Sequence, residues 1–270
     1  MSLRIDTPFT GEHFAAWCKS MAGHPYWYGT CGYRATETLL RRKRSRYPGH
    51  YPASMNAKFR RDIAAGEIVA DCVGGCKGYA WTGGGEAILA AFGHTGRISQ
   101  RYQANACPDK GADSMFAWAK KQGMPWGGIG TLPDVPGLCL HKKGHVGYTV
   151  GGGFAVEWRG TKWGCVKARV ADRPWTEWFA LPFIDYGDAP LPVPKRTLRR
   201  GSSGAEVMEL QKALNSQGKD GRSVPPLQMD GVFGKLTEAA VRAFQRNNGL
   251  KADGICGPVT WAAVNKNPEG

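Results

Sequence analysis

The chain has 270 residues and a formal charge of +14, from 36 Lys and Arg against 22 Asp and Glu, and 42% of its residues are hydrophobic. That balance excludes a wholly disordered chain and leaves apolar material for one or two cored domains. No window approaches 18 uncharged apolar residues, and no basic start is followed by an apolar run, so neither a membrane span nor a secretory signal is expected. The charge predicts attraction to a polyanion: nucleic acid, an anionic membrane surface or an acidic wall polymer.

In chain order, Leu39-Leu-Arg-Arg-Lys-Arg-Ser-Arg46 reads as a basic helix. Eight cysteines are spread along the chain and are expected to be free thiols. Among them Cys72 stands out, because Val69-Ala-Asp-Cys-Val-Gly-Gly-Cys-Lys-Gly-Tyr-Ala-Trp81 follows an apolar stretch and places Cys72 where a helix opens. Unpaired N–H groups and the positive end of the helix dipole are expected to stabilise a thiolate there and lower its pKa. Cys18, Cys31, Cys107, Cys139, Cys165 and Cys256 read as small buried hydrophobes.

A thiolate used in acyl transfer needs a base that also returns the proton to the leaving amine. Lys143 to Val150 reads as a strand carrying His145, Gly151-Gly-Gly153 as a hairpin turn, and Phe154-Ala-Val-Glu-Trp158 as the returning strand. Adjacent antiparallel strands bring Glu157 near His145, where a carboxylate fixes the tautomer of the imidazole.

Farther on, Gly187-Asp-Ala-Pro-Leu-Pro-Val-Pro-Lys-Arg196 has three alternating prolines and reads as an extended linker. The remainder contains a repeat: Asp230-Gly-Val-Phe-Gly-Lys-Leu-Thr-Glu-Ala-Ala-Val241 returns as Asp253-Gly-Ile-Cys-Gly-Pro-Val-Thr-Trp-Ala-Ala-Val264. Each copy reads as a turn and then a helix, with Thr237 and Thr260 as the expected N-caps. Val207, Leu210 and Leu214 recur at helical spacing and complete a three-helix module.

Gly204 to Leu214, the Asp-Gly-x-Phe-Gly-x-x-Thr repeat and Ala243-Phe-Gln245 resemble the small helical peptidoglycan-binding module of wall hydrolases. Asp71-Cys72-Val-Gly74, Gly144-His145-Val-Gly147 and the polar residue on the next strand resemble the NlpC-type cysteine peptidases. Pro25-Tyr-Trp-Tyr-Gly-Thr30, Glu157-Trp-Arg-Gly160 and Arg173 to Tyr186 resemble the phage endolysins of that type. The resemblance implies an α+β, papain-like catalytic domain over 1–186, a Pro-rich linker at 187–196 and an all-α wall-binding domain over 197–270. It implies Cys72 as nucleophile, His145 as base, Glu157 as the orienting third residue, and Tyr26 as an aid to the oxyanion or substrate. The implied activity is cleavage of an amide in the peptidoglycan stem peptide, with no metal or organic cofactor.

Three departures from that pattern stand out: Val73 replaces a serine and Gly75 a bulkier residue, which is expected to loosen the helix start; Glu157 stands where many relatives have His, Asn or Gln; and residues 31–68 form an insertion. The basic run in that insertion reads first as a solvated face, and second as a contact for anionic wall polymer. Peptidoglycan is the expected partner; nucleic acid and membrane insertion are not expected. The chain is expected to be made in a host bacterial cytoplasm and to act at the wall after release. Two rival readings remain. Cys72-x-x-x-Cys76 with His141-x-x-x-His145 offers four ligands for a zinc-dependent amidase, and a wall-binding protein without catalysis shares the same module.

Overall fold

The computed structural model describes residues 9–89, 98–189, 191, 195–217 and 226–265. The chain divides into two compact units, one of Met1–Trp126 with Pro133–Leu191, the other of Gly127–Leu132 with Pro192–Gly270. Of the proposed linker, residues 190 and 192–194 lie outside the described residues.

The larger unit mixes helix and sheet. Its helices are α1 (Gly11–Ser20), α2 (Glu37–Arg46), α3 (Asn56–Ala64), α4 (Gly74–Trp81), α5 (Glu86–Leu89) and α6 (Ala112–Lys121). A two-stranded ladder pairs β1 (Cys31–Arg34) with β2 (Ile68–Ala70). The main sheet holds β3 (Trp126–Gly128), β4 (Cys139–Lys142), β5 (His145–Gly151), β6 (Phe154–Trp158), β7 (Cys165–Arg169) and β8 (Glu177–Phe179), in the order β3-β8-β4-β5-β6-β7. The β4-β5, β5-β6 and β6-β7 pairings are antiparallel, as sequential strands joined by short turns permit, and β8 returns to pair antiparallel with β4. Gly151, Gly152 and Gly153 all have φ between +62° and +83°, a conformation that side chains disfavour, so this run turns β5 back into β6.

Aromatic side chains from α1, α4 and the sheet close the core. Phe14, Trp17, Tyr79, Tyr148 and Trp158 are each no more than 2% exposed. Phe14 meets Tyr148 edge-on at a centroid distance of 5.0 Å, and Trp17 tilts onto Trp158 at 6.0 Å. Each such burial contributes about 2–3 kcal/mol from area alone. Residues 27–69 build a satellite core: Trp27, Tyr51 and Phe59 pack with Leu39, Leu40 and Val69. The Trp27 indole donates to buried Asp62 at 2.9 Å.

The smaller unit carries α7 (Ala205–Gln217), α8 (Lys235–Asn247) and α9 (Pro258–Asn265) around Leu198, Leu210, Phe233, Val241 and Trp261. Thr237 and Thr260 are not N-caps, because the helices start two residues before each of them. Both are buried inside the first turn and serve a different purpose. Gln211 on α7 donates to Asp230, the Val232 carbonyl and Thr237, and accepts from the Gly231 N–H. Gln245 on α8 repeats the pattern with Asp253, Ile255, Thr260 and Gly254. Each glutamine is 1% exposed, so satisfying its amide offsets the cost of burying it and locks the following loop to the preceding helix.

Candidate active site

Cys72 lies in the turn immediately before α4, after the β2 strand that delivers it. Asp71 anchors that turn. Its carboxylate accepts from the Gly74 N–H at 2.5 Å and the Gly29 N–H at 2.8 Å, satisfying an N–H that the helix start leaves open. From β5, the Tyr148 hydroxyl donates to the Cys72 carbonyl at 2.6 Å and accepts from the Cys76 N–H at 3.1 Å, fastening the helix start to the sheet. The backbone N–H groups of Val146, next to His145, and of Val73 lie close enough to the Cys72 sulfur to hold its pKa down.

Gly74 and Gly75 make this approach possible. A Cβ at Gly74 would sit 1.9 Å from the Thr30 carbonyl oxygen, and one at Gly75 would sit 2.5 Å from the Trp158 ring. Gly75 therefore closes the helix start onto the sheet, which corrects the expectation that it loosens it.

His145 opens β5, and its Nε2 lies 2.8 Å from Glu157 Oε2 on β6. Glu157 is 1% exposed. Although burial alone would raise its pKa, hydrogen bonds from His145, Arg173 and Arg159 hold it at about 2. Arg159 donates Nε and Nη2 to Oε1, while Arg173 donates Nε to Oε1 at 2.6 Å and Nη2 to Oε2 at 3.2 Å. A carboxylate ionised at neutral pH only accepts, so the His145 nitrogen facing it, Nε2, carries a proton and Nδ1 is the nitrogen turned away from Glu157. The Trp175 ring stacks on His145 at 5.6 Å with planes 7° apart. Gly147 leaves room for that ring: a Cβ there would lie 2.9 Å from Trp175 and 3.3 Å from the Glu157 Cβ.

The thiol does not behave as the helix start suggested. Burial, and then the Asp71 charge, push Cys72 up to about 12, against the opposing N–H groups of Val146 and Val73. Only 9% of the residue is exposed, so desolvation outweighs the favourable end of a short helix. At neutral pH the resting group is a thiol. Asp71→Asn removes a charge that raises this pKa. The initial alkylation rate of Cys72 at pH 8 is therefore expected to rise several-fold, with the rate-versus-pH curve moving to lower pH; an unmoved curve would remove Asp71 from the account.

Tyr26 is half-buried and bridges to Ala70, two residues before Cys72. Its hydroxyl is pushed above its ordinary pKa by burial and then by Asp71 and Cys72, so it stays a neutral donor. The four zinc candidates do not converge in this manner. His141, on β4, has its Nδ1 2.9 Å from Glu177 and its Nε2 2.9 Å from Asp113. Cys76 is buried and donates to the Val73 carbonyl. Arg159, Arg173 and Trp175 were not singled out as functional in the sequence. Arg159 follows the end of β6 at i+2 from Glu157, which was a legible signal; Arg173 and Trp175 arrive from a loop, and their signal was the resemblance of the segment from Arg173 to Tyr186 rather than any local pattern.

In the smaller unit, the repeat leaves equivalent apolar side chains on the surface: Val232 and Leu236 in one copy, Ile255 and Val259 in the other. Folding does not require this exposure, and it occurs twice at matching places. Residues 203–264 match the family model of the peptidoglycan binding domain. A zinc D-Ala-D-Ala carboxypeptidase of Streptomyces albus G is 48% identical over 68 residues, which are 25% of this chain and 26% of that protein. The N-acetylmuramoyl-L-alanine amidase CwlL of Bacillus licheniformis is 40% identical over 67 residues, 25% of this chain and 18% of that one. The chain thus spans about a quarter or less of the length of these relatives. A solved Burkholderia AP3 phage endolysin aligns at 39% identity over 28% of this chain and 27% of its own, with a TM-score of 0.24. Among the described residues no helix is long and apolar enough to cross a membrane. Residues 203–264 form a peptidoglycan-binding domain.

Proposed function

We propose that the chain is a peptidoglycan hydrolase of the NlpC, papain-like cysteine type. In this reading the unit up to about residue 186 cleaves an amide of the stem peptide, and the C-terminal domain holds the enzyme on the wall. The observation that carries the reading is the hydrogen-bonded His145–Glu157 pair, with His145 next to the Val146 N–H that approaches the Cys72 sulfur, in a chain with a peptidoglycan-binding domain.

Cys72 starts as a thiol, so His145 Nδ1 takes its proton as sulfur attacks the amide carbonyl. Glu157 stabilises the resulting imidazolium and keeps Nδ1 aimed at the reacting atoms. Tyr26 is the donor that would meet the developing oxyanion. His145 then returns the proton to the leaving amine. Water next attacks the thioester with His145 again as base, which releases the carboxylate product and restores the thiol. The binding domain raises the local enzyme concentration at a polymeric substrate without adding contacts at the active site.

The test is digestion of purified peptidoglycan by wild type and Cys72→Ala, with and without EDTA, and products read by mass spectrometry. New amine and carboxyl ends that survive EDTA and fall at least about a thousandfold in the variant are expected. Equal cleavage by Cys72→Ala would overturn the mechanism, loss with EDTA alone would transfer it to zinc, and wall binding without cleavage would leave only the binding domain.

A further inference from the structure

Four residues before His145 stands a second histidine with both ring nitrogens engaged. His141 on β4 lies directly across from Glu177 on β8, and its Nδ1 is 2.9 Å from Glu177 Oε2. Its Nε2 is 2.9 Å from Oδ1 of Asp113, in the first turn of α6. The Phe116 ring of the same helix tilts onto the imidazole at a centroid distance of 4.7 Å. Neither nitrogen is left to meet a substrate, so His141 is not a second base. Three polar side chains from three elements thus converge at a place that the cleavage steps do not use.

What they hold are the two segments that flank His145. On one side, Asp113 Oδ1 also accepts the Gly144 N–H at 2.7 Å. Asp113 does not cap its own helix, because α6 starts from Gly111 without a side-chain cap, and the carboxylate serves the distant β4-β5 turn instead. Gly144 turns there at a φ of +75°, and the next residue is His145, the first of β5. Helix α6 therefore pins the backbone from which the imidazole hangs. On the other side, the His141 carbonyl accepts the Thr176 N–H at 2.9 Å, and the Thr176 hydroxyl donates to the Glu177 Oε2 that faces His141. Thr176 follows Trp175, whose ring stacks on His145. Glu157 and Trp175 restrain the imidazole itself; the contacts of His141 restrain the backbone beneath it and the residue next to its stacking partner. A drift of about 1 Å at a reacting atom costs on the order of a hundredfold in rate, so this second restraint has catalytic weight.

We propose that Asp113 and His141 are positioning residues for His145, acting through the Gly144 turn and the Thr176–Glu177 segment. The catalytic consequence rests on the reading of His145 as the base; the brace itself does not. Asp113 is the informative place to cut it. Its side chain is 57% exposed, so truncation leaves no buried cavity. One oxygen, Oδ1, makes both bonds, so Asp113→Asn keeps an acceptor for Gly144 and His141 while losing the charge.

The experiment assays the full chain on a soluble muropeptide and follows its Cys72→Ala form by NMR. Asp113→Ala is expected to lower kcat about tenfold or more with KM within about twofold, the pattern of a contact that matters in the transition state. Hydrogen exchange at the Gly144 amide should quicken about tenfold or more, and the His145 ring resonances should move or broaden. Asp113→Asn should return kcat to within about threefold of wild type and the ring resonances to their places. Unmoved ring resonances in Asp113→Ala would overturn the proposal, as would an Asp113→Asn variant no better than Asp113→Ala, or a loss of kcat no larger than the loss of folded protein. If wild type cuts no muropeptide while the resonances respond to Asp113→Ala and recover in Asp113→Asn, the hydrolase reading falls and the brace stands. Cleavage that Asp113→Ala leaves untouched does the reverse.

Discussion

Glu157→Ala is expected to abolish detectable cleavage and to lower the stability of the larger unit by about 3–5 kcal/mol, because it leaves His145, Arg159 and Arg173 facing an empty acceptor. For a unit of this size the melting temperature should fall by on the order of 10 °C. Glu157→Gln separates positioning from packing. It keeps the volume and an oxygen for Nε2–H but loses the charge that stabilises imidazolium. It should retain much more of the stability while activity falls about 10²- to 10⁴-fold, with a changed pH–rate profile. A purely structural role would restore activity along with stability.

The same carboxylate sets an acid limit. Held at about 2 in the folded chain against an ordinary 4.5, Glu157 binds its proton more readily when unfolded. Its contribution, about 3 kcal/mol, is complete above the unfolded value and is lost as pH falls through about 2. Wild type should therefore lose stability progressively below about pH 4.5, and the Glu157→Gln variant should show a shallower acid slope. Parallel slopes from denaturant titrations at pH 3 and pH 7 would remove Glu157 from the acid limit.

The parts of this arrangement that were legible in the sequence are local. His145 and Glu157 lie 12 residues apart across one glycine turn, so strand periodicity alone brings them within reach. The helix after Cys72 was equally legible, from the glycine-flanked segment that follows an apolar strand. Burial was not legible, and burial decides the state of the thiol. The expectation of a depressed pKa weighed the helix end and lacked the desolvation and the Asp71 charge that exceed it. Arg173, 16 residues from Glu157, joins the site through a loop whose path no local pattern specifies. The repeat is legible from Asp230 and Asp253 onward and Gln245 stands in the Ala-Phe-Gln motif, but the buried bridging role of the two glutamines is not. Gln211 stands 19 residues before its loop aspartate and Gln245 only 8, so the shared hydrogen-bond pattern has no common spacing. Likewise, a threonine before an Ala-rich run reads as a cap until a buried glutamine claims its hydroxyl.

Gly74→Ala provides a test in which two physical effects have opposite signs. By helix propensity alone, alanine inside α4 should stabilise the chain by roughly 1 kcal/mol. The structure demands the reverse, because the new Cβ would stand 1.9 Å from the Thr30 carbonyl oxygen and 2.9 Å from Asp71 Oδ1. The first of these is backbone, in a segment held in turn by the Asp71 N–H, so it has little freedom to retreat. Helix α4 must move instead, at a cost of about 3 kcal/mol or more. Cys72 would move with it, away from the N–H of Val146 and from His145. A displacement near 1 Å at a reacting atom costs on the order of a hundredfold in rate, so cleavage should fall at least that far even in the fraction that stays folded. Gly75→Ala should act in the same direction through the Trp158 and Tyr148 rings. Gly49→Ala, whose Cβ would meet nothing within 4 Å, should change neither stability nor rate. A stabilised, fully active Gly74→Ala variant would mean that the helix start does not sit against Thr30, and that the placement of Cys72 rests on other contacts.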